Sequence, residues 1–390
     1  SVSRSRQSWQ VVDAWVEAAQ SAGFAFNPDY NGASQEGVGY FQLTARNGLR
    51  CSSAKAFLKP ARSRSNLKVF THMQVDQIEL AEGRAVSVRG RHHGSPLRIA
   101  ARREIILSAG AIGSPQILMV SGIGAPEHLA EHGISLKHDL PGVGQNLQDH
   151  LQARPVYHCT APTINTRTRG LWNQARIGLE YMLNRSGPLT LAASLGTGFL
   201  KTRPDLDTPD IQFHIQPFSA YNPTMDTDDF DAFTASVLQL RPESTGEIKL
   251  RSARAEDHPL IHPNYLATPL DQQTIVEGIR MARRICRHAP VADLITEEHA
   301  PGKAVPDDDF EGLLKWARDT ATTIYHPTGT CKMGSDPMAV VDERLRVRGI
   351  DGLRVADASI MPVIVSGNTN APAIMIGEKA SDMIREDMRS

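Results

Sequence analysis

Residues 325–334 read YHPTGTCKMG: a histidine beside a proline, then a Thr-Gly-Thr turn, a cysteine and Lys-Met-Gly. The string follows neither the 3.6-residue period of a helix nor the alternation of a strand. It predicts an irregular loop that carries a side chain to a particular place. His326 is the side chain there that can exchange a proton near neutral pH. A second loop, SGNTNAPAIMIGE, holds Asn370, 44 residues further on. The apolar spacing after it predicts a helix from about Ala371, so Asn370 is also a candidate N-cap.

Other chemistries find little support. The four cysteines, Cys51, Cys159, Cys286 and Cys331, are far apart, with no Cys-x-x-Cys pair and no short Cys/His spacing suited to zinc. They read as reduced thiols of an intracellular protein, cytoplasmic or peripheral to a membrane. His92-His93 sits in RGRHHGSPLRI, which predicts a hairpin turn rather than a metal site. No metal is expected. There is no Gly-x-Ser-x-Gly elbow for serine hydrolysis. A net charge of −1 over 390 residues excludes phosphate-backbone binding as the main activity, so no nucleic-acid partner is expected. No apolar run approaches the roughly 18 residues needed to span a bilayer, so no transmembrane segment is expected.

The elements that must position the two loops can be outlined. At this length the chain exceeds one ordinary core, which predicts two domains. Ser8 is a candidate cap for a helix from Trp9 to about Ala22, with Gly23 as its stop. Short strands follow from Asn66, in LKVFTHMQVDQIEL, RAVSVRG and LRIAARREIILSAG. Ile105 to Gly122 predicts strand, tight turn and helix, with Ser114 as N-cap and Pro115 at the first helical position. After Leu151 the texture becomes one of separated strands, LQARPVYHCT, DIQFHIQPF, FTASVLQL and GEIKLRS, the last two expected to pair antiparallel across RPEST. Thr268, Pro269 and Asp271 predict a helix start. DDDFEGLLKWARDT predicts another helix, acidic at its first turn, and GLRVADASIMP a strand ending in a polar turn.

Four long strings, LSAGAIGSPQILMVSGIG (107–124), PGVGQNLQDH (141–150), YHPTGTCKMG and ADASIMPVIVSGNTNAPAIMIGEKA, together resemble the glucose-methanol-choline (GMC) flavoprotein oxidoreductases. The subgroup is the one similar to choline dehydrogenase and bacterial alcohol dehydrogenases. The resemblance runs over nearly the whole chain, in the family's order.

It implies FAD as cofactor and oxidation of an alcohol to an aldehyde or ketone, by hydride transfer to flavin N5. His326 takes the family's general-base position, and Asn370 that of its hydrogen-bond partner at the developing alkoxide. The helix beginning at Ala371 and Pro372 is implied to point at the isoalloxazine edge, with Asn370 and Tyr325 beside it. Asp357 and Ala358 match contacts to the cofactor's central part; Val75 and Ala109 match its adenine side. The implied partners are a small-molecule alcohol and an electron acceptor, oxygen or a quinone-type compound, with Cys331-Lys332-Met333-Gly334 leaning towards the acceptor-linked dehydrogenases. The pocket is placed within 187–199.

The family's opening Gly-x-Gly-x-x-Gly, which approaches the FAD pyrophosphate, is not found. Gly-x-Gly occurs at 37, 122, 142 and 196, each without the third glycine in register. The expected fold is therefore α/β and α+β: a partial Rossmann-like FAD-binding domain lacking its N-terminal βαβ, from 64–150 and 320–390, interleaved with a substrate-binding domain from 1–63 and 151–319 built on an antiparallel sheet with helices. Two rivals stand beside this expectation. One is a hydroxynitrile lyase-like member of the family. The other is a non-catalytic chain that needs a partner chain or segment to supply the FAD fingerprint.

Overall fold

The computed structural model describes residues 1–192, 194–220 and 226–389. The chain forms two compact units, one of Ser1–Ser63, Leu151–Leu240 and Thr268–Thr323, the other of Arg64–His150, Arg241–Ala267 and Ile324–Ser390.

The first unit is built on an eight-stranded sheet in which every pairing is antiparallel. Its middle strands, Gly196–Leu200, Ile211–Gln216 and Ala232–Gln239, are buried at every residue. Apolar residues cover one side: Trp15 of the helix Gln10–Ser21 packs against Phe213, with ring centroids 5.5 Å apart and the planes tilted by 49°. The helix Pro269–Cys286 starts as expected, with Thr268 Oγ1 accepting from the Asp271 amide at 3.3 Å. It approaches the sheet closely at Gly278, where an added Cβ would lie 2.7 Å from Val237. Ser8 does not cap the first helix; Trp9 holds the N-cap position without a side-chain bond. Gly23 follows the helix at φ +99°, as a stop glycine should.

In the second unit a three-stranded meander, Met73–Ala81, Arg84–His92 and Ser95–Ala100, places His93-Gly94 in the expected hairpin turn. Strands Ile105–Leu107 and Leu353–Val355 pair in parallel. The helix Gly110–Val120 follows the first of them after a two-residue turn. This strand–turn–helix is the one the sequence predicts, but its start is displaced. Gly110, at φ +79°, is the first helical residue, and Pro115 lies inside the helix. The Gly110 amide is held by Asp357 Oδ2 at 2.9 Å, so the helix is capped from a distant loop and needs no local Ser114 cap.

Two further expectations are corrected. FTASVLQL and GEIKLRS do not pair. Ala232–Gln239 lies in the large sheet between other strands, whereas Glu247–Lys249 pairs with Leu260–His262. Residues 241–267 consequently group with the second unit rather than with 151–319, tied there by Ile248 N to Gly144 O at 2.7 Å and Leu147 N to Gly246 O at 2.9 Å. The last helix is Asn370–Asp387, with Thr369 at the N-cap position, so Asn370 is its first residue and not its cap.

Candidate active site

Three segments of the second unit lace together around His326. The first, 146–150, runs antiparallel to 324–328: Thr328 N bonds Gln148 O at 2.9 Å, Gln148 N bonds Thr328 O at 3.1 Å, and Ile324 N bonds His150 O at 3.1 Å. The third is tied by side chains. Gln148 Nε2 donates to Pro362 O at 3.1 Å, while its Oε1 accepts from Ile364 N at 3.0 Å. Asn146 Nδ2 donates to Pro362 O at 3.2 Å and Gly329 O at 3.3 Å. Gly329 is required there: its φ is +91°, and an added Cβ would lie 2.3 Å from Asn146 O. Backbone bonds from Cys331 N to Ser359 O at 2.9 Å and Met333 N to Ile360 O at 2.8 Å continue the lacing.

His326 is fixed on three sides. Its backbone N–H donates to Asp149 Oδ1 at 2.9 Å, and Asp149 Oδ2 in turn accepts from the Tyr265 hydroxyl. Its Nδ1 lies 2.9 Å from Nδ1 of the fully buried His150, with the rings nearly perpendicular at 78°. Its Nε2 faces the Asn368 amide nitrogen at 3.3 Å. A short nitrogen-to-nitrogen contact between imidazoles needs one proton between them. With the Asn368 N–H₂ donating to Nε2, that ring atom carries a lone pair, and the His326 proton sits on Nδ1, donated to His150. In this arrangement Nε2 is the ring atom of His326 that is able to accept a proton. When Nε2 gains a proton, the bond to His150 becomes charge-assisted and stronger.

Tyr325, immediately before the histidine, is 62% exposed and adopts φ +64°, a left-handed conformation unfavourable for an aromatic residue. Strain of this kind persists where surrounding bonds over-determine the backbone. Here the Asp149–His326 and His150–Ile324 bonds do so.

A second group of predicted residues gathers at the carboxyl ends of the parallel strands. Asp357 accepts from Gly110 N at 2.9 Å, Ser114 Oγ at 2.5 Å and Ser359 N at 2.8 Å. Ser114 Oγ accepts from Ala109 N at 3.0 Å. Ala109, Asp357 and Ala358 thus form one hydrogen-bonded turn pair, the edge where open α/β sheets bind ligands. Val75 lies on the meander strand Met73–Ala81, paired with Gly90. Asn370, Ala371 and Pro372 form the first turn of the last helix, whose N-cap position has no side-chain bond.

His150 and Asn368 were not singled out from the sequence. Both lay inside the quoted strings, PGVGQNLQDH and SGNTNAPAIMIGE, but nothing local distinguishes Asn368 from Asn370 or marks His150 as a neighbour of residue 326. Cysteine chemistry is absent from the site: Cys331 is fully buried, and burial pushes its thiol well up, with nearby Asp357 adding to the shift. Cys159 is pushed up to about 12, by burial first and then by Asp231. All four cysteines are free. Of the stretch 187–199, Ala193 lies outside the described residues.

Comparison with known proteins decides the family. Two family profiles, both described as GMC oxidoreductase, match residues 1–152 and 242–377. The chain belongs to the GMC oxidoreductase family. It is 43% identical over 373 residues to the oxygen-dependent choline dehydrogenase of Paraburkholderia xenovorans, covering 95% of this chain and 66% of that protein. It is 41% identical to mouse mitochondrial choline dehydrogenase, covering 98% and 64%. It is 42% identical to the alcohol dehydrogenase [acceptor] of Pseudomonas putida, covering 97% and 69%. Among solved structures of this GMC type, the formate oxidase of Aspergillus oryzae, described with an FAD modification, aligns with a TM-score of 0.91 at 26% identity, covering all of this chain and 72% of that one. Pyridoxine 4-oxidase aligns with a TM-score of 0.86 at 27% identity, covering 99% and 72%. The chain spans just under two thirds of the length of the choline dehydrogenases it matches.

Proposed function

We propose that this chain carries the proton-handling machinery of an FAD-dependent GMC enzyme that oxidises an alcohol to an aldehyde or ketone. The observation that carries the proposal is the orientation of His326, with Nδ1 tied to His150 and Nε2 facing Asn368. In it, Nε2 receives the alcohol proton, and Asn368 donates to the oxygen as negative charge develops there. Asn370, proposed from the sequence for that second role, opens the helix two residues later.

Bound FAD would supply the two-electron acceptor, at N5, for the hydride leaving the alcohol carbon. The residues fit such a group. The uncapped start of the 18-residue helix at Asn370, Ala371 and Pro372 offers backbone donors and a positive dipole end to the electron-rich pyrimidine edge. By the family resemblance we assign Tyr325 to the same edge, Asp357 and Ala358 to the cofactor's central part, and Val75 and Ala109 to its adenine side. We assign FAD binding to the unit of 64–150, 241–267 and 324–390, in a partial Rossmann-like arrangement, and substrate binding to the unit of 1–63, 151–240 and 268–323. The named relatives support an alcohol such as choline as substrate, and oxygen or another acceptor as partner.

The test uses the full-length, FAD-loaded protein. Alcohol added without oxygen should bleach the flavin, and His326→Ala should slow that bleaching by a factor on the order of 100 while FAD stays bound. Flavin that no alcohol reduces would favour a lyase and remove the proposal.

A further inference from the structure

The helix Leu171–Asn184 in the first unit carries its apolar stripe on the wrong side for a core. Ile177 is its one buried residue. At about 100° per residue, Leu171, Met182, Ala175, Leu179, Trp172 and Leu183 fall in an arc of about 120° centred opposite Ile177. The side chains are correspondingly open: Trp172 is 89% exposed, Leu171 85%, Leu183 72% and Met182 67%. Elsewhere the most exposed large apolar side chains are mainly single residues or pairs, as on any soluble surface. Here they form one continuous face, extended by Leu189 just beyond the helix.

Charge flanks this face with one sign. On the helical wheel Arg176 borders the Trp172–Leu183 edge, and Arg185, at the C-cap, borders the Leu171–Met182 edge; both are exposed. Among the described residues neither makes an ion pair. Arg185 lies over the Tyr181 ring at 5.1 Å, which leaves its guanidinium at the surface. The only acid between 167 and 189 is Glu180, which is bonded by the Ser186 hydroxyl at 2.9 Å.

We propose that this helix lies in the plane of an anionic lipid surface, with Trp172, Leu179, Met182 and Leu183 in the acyl boundary and Arg176 and Arg185 at the phosphates. An exposed apolar stripe with a tryptophan and arginines at its margins is what interfacial helices present. Long arginine stems let the charge stay at headgroup level while the helix axis sits lower. A second copy of the chain fits less well, because a two-fold contact through this face would bring its unpaired arginines together. The inference does not depend on the reaction, and it concerns attachment to one leaflet, not spanning. No helix among the described residues is long and apolar enough to cross a membrane.

The full-length, FAD-loaded protein should float with vesicles made of equal parts phosphatidylcholine and phosphatidylglycerol, and much less with phosphatidylcholine alone. Trp172→Glu combined with Leu183→Glu should lower the partition coefficient at least roughly ten-fold, and each of Arg176→Gln and Arg185→Gln roughly five-fold. Trp172→Tyr should retain binding, and unchanged melting temperature and flavin content in every variant would exclude misfolding. The proposal is overturned if the wild type does not float, or if the double glutamate variant floats equally well. It is also overturned if the lipid-free protein is a dimer that Trp172→Glu splits while vesicle binding is absent.

Discussion

His150 and His326 meet nitrogen to nitrogen, Nδ1 to Nδ1, at 2.9 Å, although 176 residues separate them. His150 accepts the proton that fixes which nitrogen of His326 is bare. Replacing it with a residue that cannot accept frees His326 to put its proton on Nε2, the wrong atom for a base. His150→Phe should lower the rate of flavin reduction by an order of 10- to 100-fold. His150→Asn, whose amide oxygen can accept from Nδ1–H, should recover part of that loss. Equal rates in the two variants, with equal stability, would mean the contact only packs.

Asn368 and Asn370 are separated by a direct comparison. Asn368→Ala should slow flavin reduction by at least roughly ten-fold, with little change in thermal stability, because the lost donor faces Nε2. Asn370→Ala should act more on flavin affinity, through the first turn of the last helix. The reverse order of effects on reduction would return the partner role to Asn370.

Thr330 stands in for a missing backbone donor. Pro115, inside its helix, has no N–H to give to the Ala111 carbonyl one turn back, and Thr330 Oγ1 donates to that oxygen instead at 2.6 Å. Thr330→Val leaves a buried acceptor unbonded and should cost about 1–3 kcal/mol in unfolding free energy. In a Pro115→Ala background the restored N–H serves the same oxygen, so Thr330→Val should cost clearly less. An equal cost in both backgrounds, from denaturant unfolding, would break the link.

These cases mark what the sequence could and could not show. The loop at His326, the hairpin at His93-Gly94, the Thr268 cap and the Ile105–Gly122 unit were legible because their signals are local: a stop glycine, an apolar period, a cap three residues from its partner. The Pro115 position was misread because its helix is capped by Asp357, 247 residues from Gly110 in sequence, and no local pattern records that. The pairing of Glu247–Lys249 was misjudged on the same ground, since Gly144 and Leu147 recruit that segment across about a hundred residues. His150 is a residue of ordinary type in a quoted string; its role exists only once 326 is folded against it.

Asp387 clamps the C-terminal helix. Arg354, Arg346 and Arg344 all bond its carboxylate, and these bonds, Arg354's first, hold it well below the usual aspartate range. A depressed carboxylate contributes stability that is complete above its unfolded value, about 3.9, and fades as pH falls towards the folded value. Asp387→Asn should therefore lower the melting temperature by a few degrees at pH 7, with the gap narrowing below about pH 4. A gap that stays constant down to pH 3 would show that shape, not charge, is what the arginines need.

The lacing around His326 also bears on the order in which the molecule is made. Leu151 and Gln152 pair with Thr323 and Thr322 in the large sheet, and His150 O takes the Ile324 amide just beyond. The long loop between the histidines is thus closed by the structure of the residues inside it, so their encounter carries little separate loop-closure entropy. It also makes the histidine pair a late product of synthesis. Until the ribosome has released residue 326 and the strand before it has docked, the two imidazoles cannot meet, and a nascent chain has no such pair.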